Sequence, residues 1–207
     1  MAPPQLTEDE IDDLLYFART GDQEELASTL TALAEREKVS TAEILSSARD
    51  DKKSTCLHMA TGNGHLETIK YMLAQFRNRP NKQEKQAFLD AGNEFGNTGL
   101  HWASLGGFLE VVKFLMAEGA SPALANDKNY VPLDLASFGE KFDVVDYFLA
   151  QSGGLEEENS AEGLKSAAQG VSLDGNGKGK EGDEEEEDVN FTLRAGDTTG
   201  GEGSSSK

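Results

Sequence analysis

The sequence predicts an all-α solenoid of four repeats followed by a tail without a core, and three observations carry that reading. Thr55-Cys56-Leu57-His58-Met59-Ala60 and Thr98-Gly99-Leu100-His101-Trp102-Ala103 share the pattern Thr-x-Leu-His-x-Ala. Each is followed at the same offset by a glycine and an apolar stripe, Gly64 through Leu73 and Gly107 through Leu115. Composition then breaks near Gln151: periodic apolar residues precede it, and Gly, Ser and Glu dominate after it.

Aligned on the threonine, the unit recurs at Thr55, Thr98 and Val131, with a weaker first copy that places Asp12 at the same position and matches Leu14, Ala18 and Gly21-Asp22. A spacing near 33 residues is the ankyrin period, so the first two intervals each carry about ten extra residues. Residues 5–150 are therefore assigned to an ankyrin-repeat domain and residues 151–207 to a disordered, acidic tail.

In the first unit, Thr7, Glu8, Asp9 and Glu10 ahead of Ile11 mark an N-terminal capping repeat. An insertion over residues 31–49 either lengthens the second helix or adds a short one. In the second unit, Gly64 is positioned to end the first helix as a left-handed cap, and Leu66, Ile69, Met72 and Leu73 form the stripe of the second helix. The next insertion, over residues 76–92, contains Asn81 followed by Glu84, which predicts a capping box on a small helix through Phe88 and Leu89. Its Arg77, Arg79, Lys82 and Lys85 read as a solvated basic loop, with a contact site for the acidic tail as the alternative.

Before the third and fourth units, Gly96 and Asn129 supply the left-handed backbone that a hairpin requires. Ala60, Ala103 and Ala136 let first helices approach closely. Val144, Val145, Phe148 and Leu149 give the last core stripe. Asp134 replaces the motif histidine, and Gly139-Glu140 shifts the cap by one residue, so the fourth unit also reads as a capping repeat. Trp102 is assigned to core packing, and His58 and His101 to backbone hydrogen bonds in the hairpins.

Stacking does not need the hairpin tips or the open face of each first helix, so those positions are free for a partner. The candidate binding residues there are Asp51, Lys52, Asn63, Glu94, Phe95, Asn97, Leu105, Asp127, Tyr130, Asp134 and Phe138. Four of them, Phe95, Leu105, Tyr130 and Phe138, are apolar or aromatic where polar residues are the default. An aromatic patch ringed by Glu94, Asp127 and Asp134 has the anatomy of a hot spot for an apolar segment with flanking Lys or Arg.

The formal charge is −19, and the tail holds 14 of the 38 acidic but 5 of the 19 basic residues. That balance argues against binding a phosphate backbone, which takes Lys and Arg to displace counterions, and favours a cationic protein partner. The run Asp183, Glu184, Glu185, Glu186, Glu187 and Asp188 is read as an electrostatic shield for a basic client. One cysteine, Cys56, allows no internal disulfide and fits a reducing compartment. The first ten residues hold no signal-peptide pattern, and no apolar run approaches spanning length. A monomer of the cytoplasm and nucleus is expected, and the Asn190-Phe191-Thr192 sequon is incidental.

Asp174, Asn176, Gly179 and Glu185 sit at spacings of a calcium loop, but Lys178 occupies a ligand position and no apolar helix flanks it. With no phosphate loop, no nucleophile beside a base and no metal-ligand spacing, neither catalysis nor a cofactor is expected.

The stretch Gly96 to Leu105, continued through Gly107 to Leu115, together with Thr55 to Met72, the long spacers and the acidic tail, resembles the fungal ankyrin-repeat chaperones of small-subunit ribosomal protein S3. The resemblance implies capture of a basic N-terminal segment of newly made S3, maintenance of its solubility, and escort to the nucleus for subunit assembly. An import receptor would join through the client. Two rival readings stand beside it: a generic ankyrin adaptor or inhibitor of a kinase or transcription factor, and a carrier for another basic nuclear protein.

Overall fold

The computed structural model describes residues 3–77, 79 and 81–151. The tail, including the acidic run from Asp183 to Asp188 and the calcium-loop spacing, lies outside the described residues. Helices α1 (Glu8–Thr20), α2 (Gln23–Glu37), α3 (Thr41–Ser47), α4 (Cys56–Gly62), α5 (Leu66–Ala74), α6 (Lys82–Leu89), α7 (Gly99–Gly106), α8 (Leu109–Ala117) and α9 (Pro132–Phe138) are followed by α10 over residues 142–151. They form four pairs, α1/α2, α4/α5, α7/α8 and α9/α10. The insertions contribute α3 and α6, and the first also extends α2.

The first helices stack in the order α1, α4, α7, α9. Leu14, Leu57 and Leu100 occupy the same place in three successive units and are buried, as are Ala60, Ala103 and Ala136. Gly21, Gly64 and Gly107 follow their first helices in left-handed conformation, φ 77°, 76° and 76°. In the fourth unit Glu140 takes that backbone position, φ 53°, so the shift of Gly139 leaves the cap with a residue that L side chains rarely allow there.

The hairpins repeat a device that the motif comparison did not isolate. Asp50, Asn93 and Asn126 each accept through Oδ1 from the backbone N–H groups two and four residues further on. This Asx geometry closes each tip locally. Successive tips are joined when Glu94 N–H donates to the Lys52 carbonyl (2.7 Å) and Asp127 N–H to the Phe95 carbonyl (3.0 Å). Lys53, Gly96 and Asn129 all have positive φ after these tips.

Five expectations change. Asp12, aligned with Thr55 and Thr98, does not share their place at a helix N-terminus: it lies inside α1, which starts five residues earlier than the alignment implies and is capped by Thr7 in a reciprocal capping box with Glu10. Asn81 caps α6 by accepting from Gln83 N–H, but Glu84 does not close a box. Its carboxylate instead accepts from Arg79 Nε at 2.7 Å. The basic insertion is not simply solvated either. Arg79 also donates to Ser40 Oγ (3.0 Å) and pairs with Glu43 (3.6 Å), and Lys85 pairs with Glu118. Leu149 is 54% exposed while Leu73, its counterpart in the second unit, is buried, since no described helix stacks beyond α10. Trp102, finally, lies on the surface.

Candidate binding surface

The first helices present two rows of side chains away from the stack. One row is Tyr16, Met59, Trp102 and Leu135; the other is Arg19, Gly62, Leu105 and Phe138. Within each helix the members are three residues apart and so share a face. Trp102 is 40% exposed because its motif position belongs to this open face, one residue past the inward-facing His101. A Cβ on Gly62 would lie 3.1 Å from Trp102 Cε3, so the indole rests over the space left by that glycine. Spacing from Leu105 already contained the signal for this row; the assignment of Trp102 to the core overlooked it.

Phe95 at a hairpin tip is 53% exposed, Phe138 is 62% exposed, and Leu105 and Tyr130 are also open to solvent. The rings of Tyr130 and Phe138 meet edge to face at 4.9 Å, the arrangement that aromatic quadrupoles favour. With Phe95, Leu105 and Leu135 they line a concavity of about 570 Å³, which Asn97 and Asp127 also border. A second concavity, about 520 Å³, lies on the other side of Phe95 and contains Met59, Gly62, Asn63 and Trp102, with Arg19, Lys52 and Asp50 as its charged lining. A third, about 290 Å³, is bounded by Glu8, Asp12, Asp50, Asp51 and the cations Arg49 and Lys52.

The structure thus brings Phe95, Asn97, Leu105, Asp127, Tyr130 and Phe138 together, and places Lys52 and Asn63 with Trp102. Asp51 borders the acidic concavity. Glu94 is exposed at a tip but lines none of the three. Asp134 is engaged within the fold: its Oδ2 accepts from Val131 N–H at 2.9 Å, replacing the histidine of the other units as helix cap.

The two motif histidines hold the hairpins beneath this surface. Thr55 N–H donates to His58 Nδ1 (3.1 Å), which fixes the tautomer so that Nε2–H donates to the Asn97 carbonyl at 2.7 Å. His101 repeats the arrangement with Thr98 N–H and the Tyr130 carbonyl, at 3.1 and 3.0 Å. Burial lowers both histidine pKa values from the ordinary range, keeping the rings neutral. Cys56 is fully buried, and desolvation pushes its thiol up to about 12, which leaves it unreactive at neutral pH. No group of three or more His, Cys, Asp or Glu among the described residues is arranged to hold a metal. No helix among them is long and apolar enough to cross a membrane.

Stacked helix pairs with an open, aromatic first-helix face and paired hairpin tips define a repeat-solenoid binding protein. The chain belongs to the ankyrin-repeat family: residues 85–159 match the model for ankyrin repeats in three copies, and residues 52–85 match the single ankyrin repeat. It is similar to ankyrin repeat-containing protein YAR1 of Saccharomyces cerevisiae, with 33% identity over 92 residues, 44% of each protein. The chain thus matches under half the length of that curated relative. It is also similar to a chain in the crystal structure of the yeast ribosomal protein Rps3 in complex with its chaperone Yar1. There the TM-score is 0.65 at 36% identity, covering 71% of this chain and 95% of that one.

Proposed function

We propose that this chain is a dedicated chaperone of ribosomal protein S3, acting by binding and not by catalysis. The observation that carries the reading is the correspondence along 95% of a chain from the Rps3–Yar1 complex, joined to an aromatic surface open on the first-helix face. A protein with a net charge of −19 suits a basic client, since complementary charge speeds encounter and disfavours acidic competitors. The chain takes a basic segment of new S3, keeps it soluble in the cytoplasm and accompanies it to the nucleus, where an import receptor engages the client itself. The acidic run Asp183 to Asp188 competes with RNA for the client's Lys and Arg.

Equimolar mixing of the purified chain with S3 tests this directly, with light scattering after size exclusion as the readout. A one-to-one complex that stays soluble at salt concentrations where S3 alone precipitates is the expected result; separate elution rejects the reading. Phe95→Ala combined with Tyr130→Ala should weaken S3 binding by at least about 2 kcal/mol, the scale of a hot-spot anchor, with an unchanged circular dichroism melt. Deleting residues 152–207 should leave the complex intact but let S3 coprecipitate with added RNA. If RNA has no such effect, the run serves solubility alone.

A further inference from the structure

Resting on the client reading above, we propose that Phe95 divides the binding surface into two apolar compartments. Each takes one bulky uncharged side chain from the same client segment, and the client's cations are held outside the compartment under Trp102.

The division is geometric. Phe95 lines both concavities, and the two are otherwise built from different residues. On one side Met59 and Trp102 form an apolar surface over Gly62; on the other, Leu105, Tyr130 and Phe138 do so. The comparison between units explains the asymmetry. The position occupied by Gly62 in the second unit is Arg19 in the first, Leu105 in the third and Phe138 in the fourth, so only the second unit lacks a side chain there. The Trp102 indole leans over that glycine, and a concavity stays open beside it, between Met59, Asn63 and Phe95. Trp102 then supplies a large, rigid wall, the kind of side chain that gives contact area at little entropic cost.

Charge fixes which part of the client goes where. Arg19 and Lys52 border the Trp102 compartment beside one carboxylate, Asp50, whose Oδ1 is taken by the N–H groups of Lys52 and Ser54. Neither cation belongs to an ion pair among the described residues. The two repel a Lys or Arg placed there, a form of discrimination by built-in clash. On the neighbouring concavity Glu8, Asp12, Asp50 and Asp51 outnumber Arg49 and Lys52, and Asp127 borders the compartment beyond Phe95 together with Lys128. A basic segment therefore satisfies the surface in one register, with two apolar residues straddling Phe95 and its cations towards the flanking carboxylates. Specificity for the client then comes from the spacing of its apolar residues as well as from its charge.

Trp102 is the chain's one tryptophan, so fluorotryptophan incorporation gives a single fluorine NMR signal that the client's own tryptophans cannot obscure. On addition of purified S3, that signal should shift and lose its solvent isotope effect as the compartment fills. Gly62→Leu, which puts into the second unit the residue the third already carries, should push the Trp102 indole, 3.1 Å from a Cβ at that position, into the compartment and weaken S3 binding about tenfold or more. Phe138→Ala should weaken binding by a similar factor while the fluorine shift at saturating S3 persists, because the two compartments are separate. Met59→Ala provides a second probe of the Trp102 side should Gly62→Leu unfold; it should weaken binding and reduce the shift. If S3 binds with the Trp102 signal unmoved and Met59→Ala neutral, the two-compartment arrangement is overturned and the chaperone reading survives. If S3 does not bind at all, both fall.

Discussion

His58 and His101 each commit both ring nitrogens to the backbone, Nδ1 accepting within its own helix cap and Nε2–H donating to the next hairpin. Protonation of Nδ1 would turn that acceptor into a donor facing Thr55 or Thr98 N–H. Burial is the leading cause of their lowered pKa values, so the unfolded chain binds these protons more readily than the folded one. Their contribution is complete above the unfolded value of 6.5 and is lost as pH falls below it towards the depressed folded values. A second loss follows at lower pH. Glu10 is held at about 2 from an ordinary 4.5 by its hydrogen bond from Arg36 and then by Thr7 N–H, so its stabilisation disappears as pH drops from 4.5 to about 2. That pair is exposed, and salt screens it. Urea midpoints should therefore decline between pH 7 and pH 5, and His58→Gln with His101→Gln should flatten that slope on a less stable protein; an equal slope in the variant would assign the loss to other groups. Residue types made these roles legible in the sequence, because a Thr-x-x-His cap has one physical use. Trp102 was misplaced because its neighbours on both sides face inward.

Between the elements, the two insertions act together as a brace, and this was the least legible part of the chain. An apolar pair, Phe88 and Leu89, announced the short helix α6, and Phe88 stacks on Phe76 with ring centroids 4.8 Å apart. Nothing in the spacing could tell that Arg79 reaches Glu43 and Ser40 in the other insertion, or that Ser121 N–H and Oγ both donate to the Asp90 carboxylate at 3.0 and 2.7 Å. Those contacts join segments far apart in sequence, where periodicity carries no information. Gln86 Nε2–H also donates to the Gly119 carbonyl at 2.9 Å, tying α6 to the loop after α8. The apolar and ionic parts of this brace differ in weight. Phe88→Ala removes a buried ring and should cost about 3 kcal/mol or more, whereas Arg79→Ala breaks a partly exposed network worth about 1 kcal/mol. Urea unfolding of the two variants decides the order; a larger loss for Arg79→Ala would make the ionic ties, not the ring stack, the source of cohesion.

At the scale of the whole described array, the fold was readable because each unit repeats one solution to one packing problem. The ends were harder, since an end unit follows the motif while lacking a neighbour. The fourth unit shows the consequence. Buried residues of α9 are Pro132 and Ala136, whereas α4 buries Cys56, Leu57, His58, Ala60 and Thr61, and Phe138, Phe142 and Leu149 stand exposed. In a quasi-linear stack, stability is a sum of units and nearest-neighbour interfaces, so the unit with fewest buried groups opens at the lowest free energy. That same unit supplies Tyr130, Leu135 and Phe138 to the binding surface. A client that covers them binds only the closed form and therefore stabilises it by mass action. Amides of α9 and α10 should exchange with deuterium faster than those of α4 and α7 in the free chain, and slow the most when S3 is added. Uniform exchange across all four units would mean that the braces make the array one cooperative block. Faster exchange at the end with no response to S3 would show that the client engages the earlier repeats and leaves the Phe138 face open.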